Sequence, residues 1–311
     1  MSRRPVTVLL VLLTVGLSVP TAVRLVGDHG AQLLVVLDVV VPLLVPLLAL
    51  LAIVQLLLRR RRLALLTAAV VALNTLWLAP LYWSADVRTG TPLTVLNANL
   101  LFGEADPAAI VAMVRDRKVD VLATEELTPE EVQRLTDAGL DQVLPHHSLA
   151  PFRAADGCGL WSRYPLTTLA PFTLRFQSPG ALLTLPTGVK VVVRVVHPMG
   201  PLDNDLYTVD NAALRRQVAA LDRSVPTVVA GDFNASQDNT LFRRLLDSGH
   251  LRDAAEVAGS GVQRTWAPLG YPGALHLDHV LVNRLVDARS TSVEHLPGSD
   301  HRAVLARLVV V

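Results

Sequence analysis

The stretch Thr227-Val228-Val229-Ala230-Gly231-Asp232-Phe233-Asn234 decides the reading of this chain. Thr227 to Ala230 is uncharged and rich in β-branched residues, the pattern of a buried strand. A glycine and a carboxylate follow it directly, and an amide stands two residues further on. Alone, Gly231-Asp232 is a turn. The same pattern recurs outward in both directions. Asn97 and Asn99 close the apolar run Thr94–Leu100, Glu125 and Glu126 follow Val121–Ala123, and His197 follows Val189–Val196. Asp278-His279 sits in the run Leu277–Val282, and Ser299-Asp300-His301 precedes Ala303–Val309. Taken singly, these are strand-end turns, a solvated acidic pair, a loop histidine and a helix cap. Gathered at strand ends, carboxylates, amides and imidazoles are the donor set of an oxygen-ligated cation with acid/base partners.

Helical signals separate the strands. Asp106-Pro107 is an N-cap followed by an N1 proline and opens a helix towards Asp116. Thr128-Pro129-Glu130-Glu131 has capping-box spacing. Ala181–Leu185 and Val189–Val196 flank Pro186-Thr187-Gly188 as a hairpin, and Ala212–Leu221 is helical. The mixture predicts a layered α/β domain with mixed sheets.

The first 83 residues are different. Val6–Val23, Val39–Leu58 and Leu63–Trp83 are uncharged runs, each long enough to span a bilayer. Three transmembrane helices are expected, at about 6–26, 36–58 and 63–83, then a linker over 84–92 and a polar domain over 93–311. Arg3, Arg4 and Arg59–Arg62 flank these runs and predict a cytoplasmic N-terminus, which places the domain outside the membrane. The first run also has the length of a signal peptide, but it lacks a small-x-small cleavage site before polar chain. Arg24 is expected to snorkel at the outer end of the first helix, and Asp38 to anchor at the interface.

Of 311 residues, 51% are hydrophobic and 18% charged, with mean hydropathy +0.42, which excludes a disordered chain. Residues 1–85 carry seven basic and two acidic residues, and residues 86–311 carry 21 and 25. A mildly acidic domain without a basic-aromatic stripe disfavours nucleic acid as the partner. The single cysteine, Cys158, excludes an intrachain disulfide and a cysteine-rich zinc site.

In chain order the motifs resemble the endonuclease/exonuclease/phosphatase superfamily. Val95–Asn99 is similar to its opening strand, Asp120–Leu127 to the segment of its metal glutamate, and Trp161–Pro165 to its Ser-Arg-aromatic-Pro stretch. Gly231–Asn234, Leu277–His279 and Gly298–His301 complete the series. Two positions depart from the pattern: Glu125 stands where the family has glutamine, and Val195-Val196 precede His197 instead of Asn-Thr. The whole chain further resembles membrane-anchored members linked to teicoplanin resistance. The resemblance implies a DNase I-like four-layer α/β sandwich with mixed β-sheets and Mg²⁺-dependent (alternatively Mn²⁺-dependent) phosphoester hydrolysis. It casts Glu126, Asn99 and Asp300 as metal ligands. Asp232 becomes the base for water, Asn234 a holder of that water or of a phosphate oxygen, and His197 and His301 donors to phosphate. Asp278 orients His301.

Placement at a membrane predicts the bilayer as partner and a lipid-linked phosphate or pyrophosphate, such as polyprenyl pyrophosphate, as substrate. A surface nuclease and a catalytically silent binder of a cell-wall lipid intermediate are the alternatives.

Overall fold

The computed structural model describes residues 3–266 and 274–311. The chain opens with α1 (Arg3–Val26), α2 (Gln32–Val39), α3 (Val41–Leu57) and α4 (Arg61–Leu78). Then follow β1 (Thr91–Asn99), α5 (Pro107–Asp116), β2 (Val121–Glu125), α6 (Pro129–Asp137), β3 (His146–Ala150) and β4 (Cys158–Ser162). The second half holds β5 (Leu166–Leu169), β6 (Gly180–Thr184), β7 (Lys190–Val196), α7 (Asn204–Ala219), β8 (Thr227–Asp232) and α8 (Thr240–Gly249). It closes with β9 (Arg252–Asp253), β10 (Asp278–Val282), β11 (Val286–Glu294) and β12 (Ala303–Val310).

Two six-stranded sheets form, in the orders β11-β12-β1-β2-β4-β3 and β5-β6-β7-β8-β10-β9. β1 runs parallel to β2 and β7 parallel to β8, and the other pairs are antiparallel. Strand alternation assigns the layers. Val95, Val228, Ala230, Val280 and Val282 point into the core between the sheets. Their neighbours point outward. Leu96 and Leu122 pack with Ile110 and Val114 of α5 and Leu135 of α6. Val229 and Leu281 pack with Leu214 of α7 and Phe242 of α8. The result is helix, sheet, sheet, helix.

Local signals explain the helix starts. Asp106 accepts hydrogen bonds from the N–H groups of Ala108 and Ala109, and Thr128 accepts one from Glu131. At Gly231 a Cβ would lie 1.8 Å from the Val196 carbonyl oxygen, so the close approach of β7 and β8 admits only glycine there.

The N-terminal helices depart from expectation. Arg4–Val26 and Arg61–Tyr82 are each long and apolar enough to cross a membrane, but the expected helix over 36–58 is not one rod. It breaks at Val40 into α2 and α3, which meet at 62°. Pro42 is the cause: it has no N–H for the Asp38 carbonyl, and its ring clashes there. Thr7 and Arg59–Arg62 line one cleft, so the N-terminal end and the arginine block share one end of the bundle. Inside it, Gln55 of α3 donates to Thr14 of α1 and accepts from Thr67 of α4, and Asn74 donates to Thr21. Satisfied polar pairs of this kind hold helices together in an apolar medium.

Arg24 does not snorkel. It pairs with Asp238 of the polar domain and lies 4.3 Å over the Trp77 ring. Asp38 is fully buried. Residues 84–92 are not a free tether either. The Ala85 N–H donates to Val257 O, and Arg88 pairs with Asp287 at 2.9 Å.

Candidate active site

The strand ends of the two sheets converge on one cavity of about 540 Å³, which Glu126, His197, Asp232, Asn234, Asp300 and His301 line. Asn99 and Asp278 stand directly behind it. All eight residues singled out in the sequence therefore come together.

Asn99 ends β1, and its amide Nδ2 donates to Glu126 Oε1 and to Asp232 Oδ2, both at 3.1 Å. Its Oδ1 accepts from the Leu101 N–H. Asn99 thus presents nitrogen, not oxygen, to the carboxylates, and acts here as their spacer. The Phe102 N–H donates to Glu126 Oε2 at 2.9 Å. Leu101, Phe102, Glu126 and Asn234 all have φ between 46° and 57°. Such left-handed residues cost on the order of 1–3 kcal/mol each, and here they cluster around one cavity. Asn234 reaches the cavity by a turn, its N–H donating to Asp232 Oδ1 at 2.9 Å and its Nδ2 to Pro198 O.

Two histidines face Asp232. His197 Nε2 and His301 Nε2 each lie 3.6 Å from Asp232 Oδ2. The family departure before His197 therefore does not displace it. His301 Nδ1 bonds Asp278 Oδ2 at 2.9 Å, so its ring stands between two carboxylates. Burial opposes charge on His301, but Asp278 and Asp232 outweigh it and hold its pKa up at about 10. His301 is an imidazolium donor at neutral pH. Glu125 points the other way, into the core. Burial first, then Asp278 and Asp232, push its carboxyl well above the usual range. A neutral Glu125, held by the Asn97 amide at 3.3 Å, is isosteric with the glutamine the family places there.

Glu126, Asp232 and Asp300 bring three carboxylates to a cavity with no arginine or lysine among its described lining residues. Buried Asp278 Oδ1 and Asp300 Oδ1 have no hydrogen-bond partner among the described residues. Asp232, Asp278 and His301 also offer ligand atoms within 4.8 Å of one another. This donor set fits a hard divalent cation. Sequence reasoning missed two neighbours. Trp266 donates through Nε1 to Asp300 Oδ2 at 2.9 Å, and the Phe176 ring lies 5.0 Å from that of His197. Neither carries a local motif.

A second cluster, Asp253, His276 and His279, lies outside the cavity. His279 Nδ1 bonds Asp253 at 2.6 Å and Nε2 bonds Ala235 O at 2.9 Å. Both ring nitrogens are occupied, so this cluster is a buried ion pair.

Two sandwiched mixed sheets with carboxylates and imidazoles at one end define a DNase I-like phosphoester-hydrolase fold. The model of the endonuclease/exonuclease/phosphatase family matches residues 96–301, and the chain belongs to that family. Solved structures share the fold. An endonuclease/exonuclease/phosphatase from Beutenbergia cavernae is 20% identical, with TM-score 0.58 over 70% of this chain and 72% of that one. TDP2 of D. rerio, solved with a single-strand DNA product, is 17% identical, with TM-score 0.57 over 70% and 99%. A mannosyl-6-phosphatase of Bacteroides thetaiotaomicron is 15% identical, with TM-score 0.55 over 70% and 99%. Among curated proteins no match is found.

Proposed function

We propose that the protein is a membrane-anchored, divalent-metal-dependent phosphoester hydrolase acting outside the cytoplasmic membrane on a lipid-linked phosphate or pyrophosphate. Polyprenyl pyrophosphate is the leading candidate, and a part in glycopeptide resistance would follow from recycling such a carrier. The observation that carries this reading is the set of carboxylates and imidazoles in one cavity beside apolar helices.

Glu126 and Asp300 are the ligands for Mg²⁺ (Mn²⁺ as the alternative), with Asn99 holding Glu126 in place or joining them through its oxygen. The bound ion supplies charge neutralisation on the phosphate. Asp232 takes the proton of the attacking water, which Asn234 helps to hold. The water oxygen bonds phosphorus as the bond to the leaving oxygen breaks. His301, charged and oriented by Asp278, and His197 donate to the phosphate oxygens as charge builds.

The nuclease alternative is weaker. A nucleic-acid strand calls for arginine or lysine along its backbone, and neither is among the described residues of the cavity. The test is phosphate release by the full chain in detergent, with polyprenyl pyrophosphate, diacyl phospholipid and DNA offered side by side, with Mg²⁺ or EDTA. Mg²⁺-dependent release from the prenyl lipid supports the proposal. Cleavage of DNA alone makes the protein a tethered nuclease, and inactivity on all three moves it to a silent binder.

A further inference from the structure

One wall of the catalytic cavity does not belong to the catalytic domain. Val35, Val36 and Val39 of α2, with Val40 at the break, line it opposite Asp232 and His301. Helix α2 is fixed there by its own polar contacts, since the Val35 carbonyl accepts from Asn239 Nδ2 at 2.9 Å. Its apolar surface continues through Val40 into α3, which has no charged residue. On the other rim stand Leu101, Phe102 and Leu202. Phe102 is 49% exposed, Leu202 87% and Val36 48%. Exposed apolar side chains that rim a buried polar site mark a place for an apolar ligand.

The apolar wall begins directly at the polar centre. Phe102 is the residue whose N–H holds Glu126. Leu275 and Leu277 line the cavity beside His301. The ester oxygens of a glycerol backbone would have to be buried there without donors, which costs free energy. A chain of methylenes attached directly to phosphate meets no such penalty.

Building on the hydrolase reading above, we infer that α2 is part of the substrate site. It forms with Phe102 and Leu202 a slot for the first carbons of a single hydrocarbon chain linked directly to phosphate. The slot selects alkyl or prenyl phosphates over diacylglycerol phosphates. Each methylene that enters it is expected to tighten binding about fourfold, the equivalent of about 0.8 kcal/mol.

The test uses the full chain in phosphatidylcholine nanodiscs. The probe is hexadecylphosphonate, whose C–P bond resists hydrolysis, carrying a diazirine at its third carbon. Illumination followed by peptide mapping is expected to place label within residues 35–40, at Leu101 or Phe102, or at Leu202. Hexadecyl phosphate should compete at least tenfold better than dipalmitoyl phosphatidic acid. Val36→Asp and, independently, Leu202→Asp should each cut this labelling at least tenfold. Label found only on α1, α3 and α4, or no label, overturns the slot, as does equal competition by the diacyl lipid. Turnover of hexadecyl phosphate by the same preparation keeps the two readings apart. Labelling of the slot without turnover of hexadecyl phosphate or of hexadecyl pyrophosphate refutes hydrolysis and leaves the slot standing. Turnover without labelling refutes the slot alone.

Discussion

Asp28 caps a helix more than two hundred residues away: its Oδ2 accepts the backbone N–H of Thr240 at 2.8 Å. Asn239, the N-cap residue of α8, makes no side-chain cap bond of its own, because its Oδ1 is taken by the Ser236 N–H. The first turn of α8 is therefore completed by the loop between α1 and α2. Replacing Asp28 with alanine should cost about 1–2 kcal/mol. Thermal unfolding of the full chain in detergent should show Tm lower by about 2–8 °C.

His301 makes stability and turnover depend on Asp278. A histidine whose pKa is raised contributes stability that is fully present below about 6.5. That stability is lost as pH rises through His301's folded value of about 10. In EDTA, wild-type Tm should fall between pH 7 and pH 10.5, and Asp278→Asn should flatten that fall. The same substitution should lower kcat on the order of 100-fold or more, because the imidazole loses both orientation and charge.

Glu126→Gln should lower activity by weakening the metal, with part of the loss regained at high Mg²⁺. A titration of rate against Mg²⁺ reads this as a rightward shift of the midpoint. An unchanged midpoint would remove Glu126 from the ligand set. Asp232→Ala, in contrast, should abolish turnover at every Mg²⁺ concentration while the protein stays folded.

At Glu125 the sign is opposite to that of an ordinary surface carboxylate. Its folded pKa is raised, so the fold is favoured below the usual carboxylate range and loses stability as pH climbs. Glu125→Gln keeps the shape and removes the titration. Its Tm should match wild type near pH 4 and exceed it at pH 8, as differential scanning calorimetry at the two pH values would show.

The Asp253–His279 pair should behave as structure, not as a metal site. Burial works against Asp253 as an anion, but His279 outweighs it and brings its pKa down to about 2. Burial also opposes the charge on His279, and Asp253 reverses that effect and raises it. The pair's stability is fully present between about pH 4, where Asp253 ionises in the unfolded chain, and about pH 6.5, where the unfolded histidine loses its proton; it is lost as pH falls through about 2 and as pH rises through the raised value of His279. Asp253→Asn should cost about 3–5 kcal/mol by stranding a buried charge. Added Zn²⁺ should shift Tm by the same amount in wild type and in Asp253→Asn.

The catalytic half of the molecule was legible where one residue carries a local physical signal. Asp106 and Thr128 cap their helices as their spacing implies, and Gly231 stands where no Cβ fits. Thr227–Ala230 is the buried strand its β-branched run implies. The order of the motifs, not any single one, pointed to convergence of the eight site residues. The membrane half was less legible. The break at Val40 follows from Pro42, a signal that the length of an uncharged run does not contain. Arg24 carries no sign of its partner Asp238, which lies far along the chain in the polar domain, and nothing local marks Asp38 as buried. Trp266 was invisible because its partner Asp300 is distant in sequence.

The bend at Val40 bears on how this protein can be studied in the laboratory. Cutting membrane helices away to obtain a water-soluble catalytic half is the customary shortcut. Here it would remove Asp28 from α8 and take away one side of the cavity with α2. Such a fragment would keep all eight site side chains and still present an open trough. Inhibitors ranked against it would be ranked on the wrong surface.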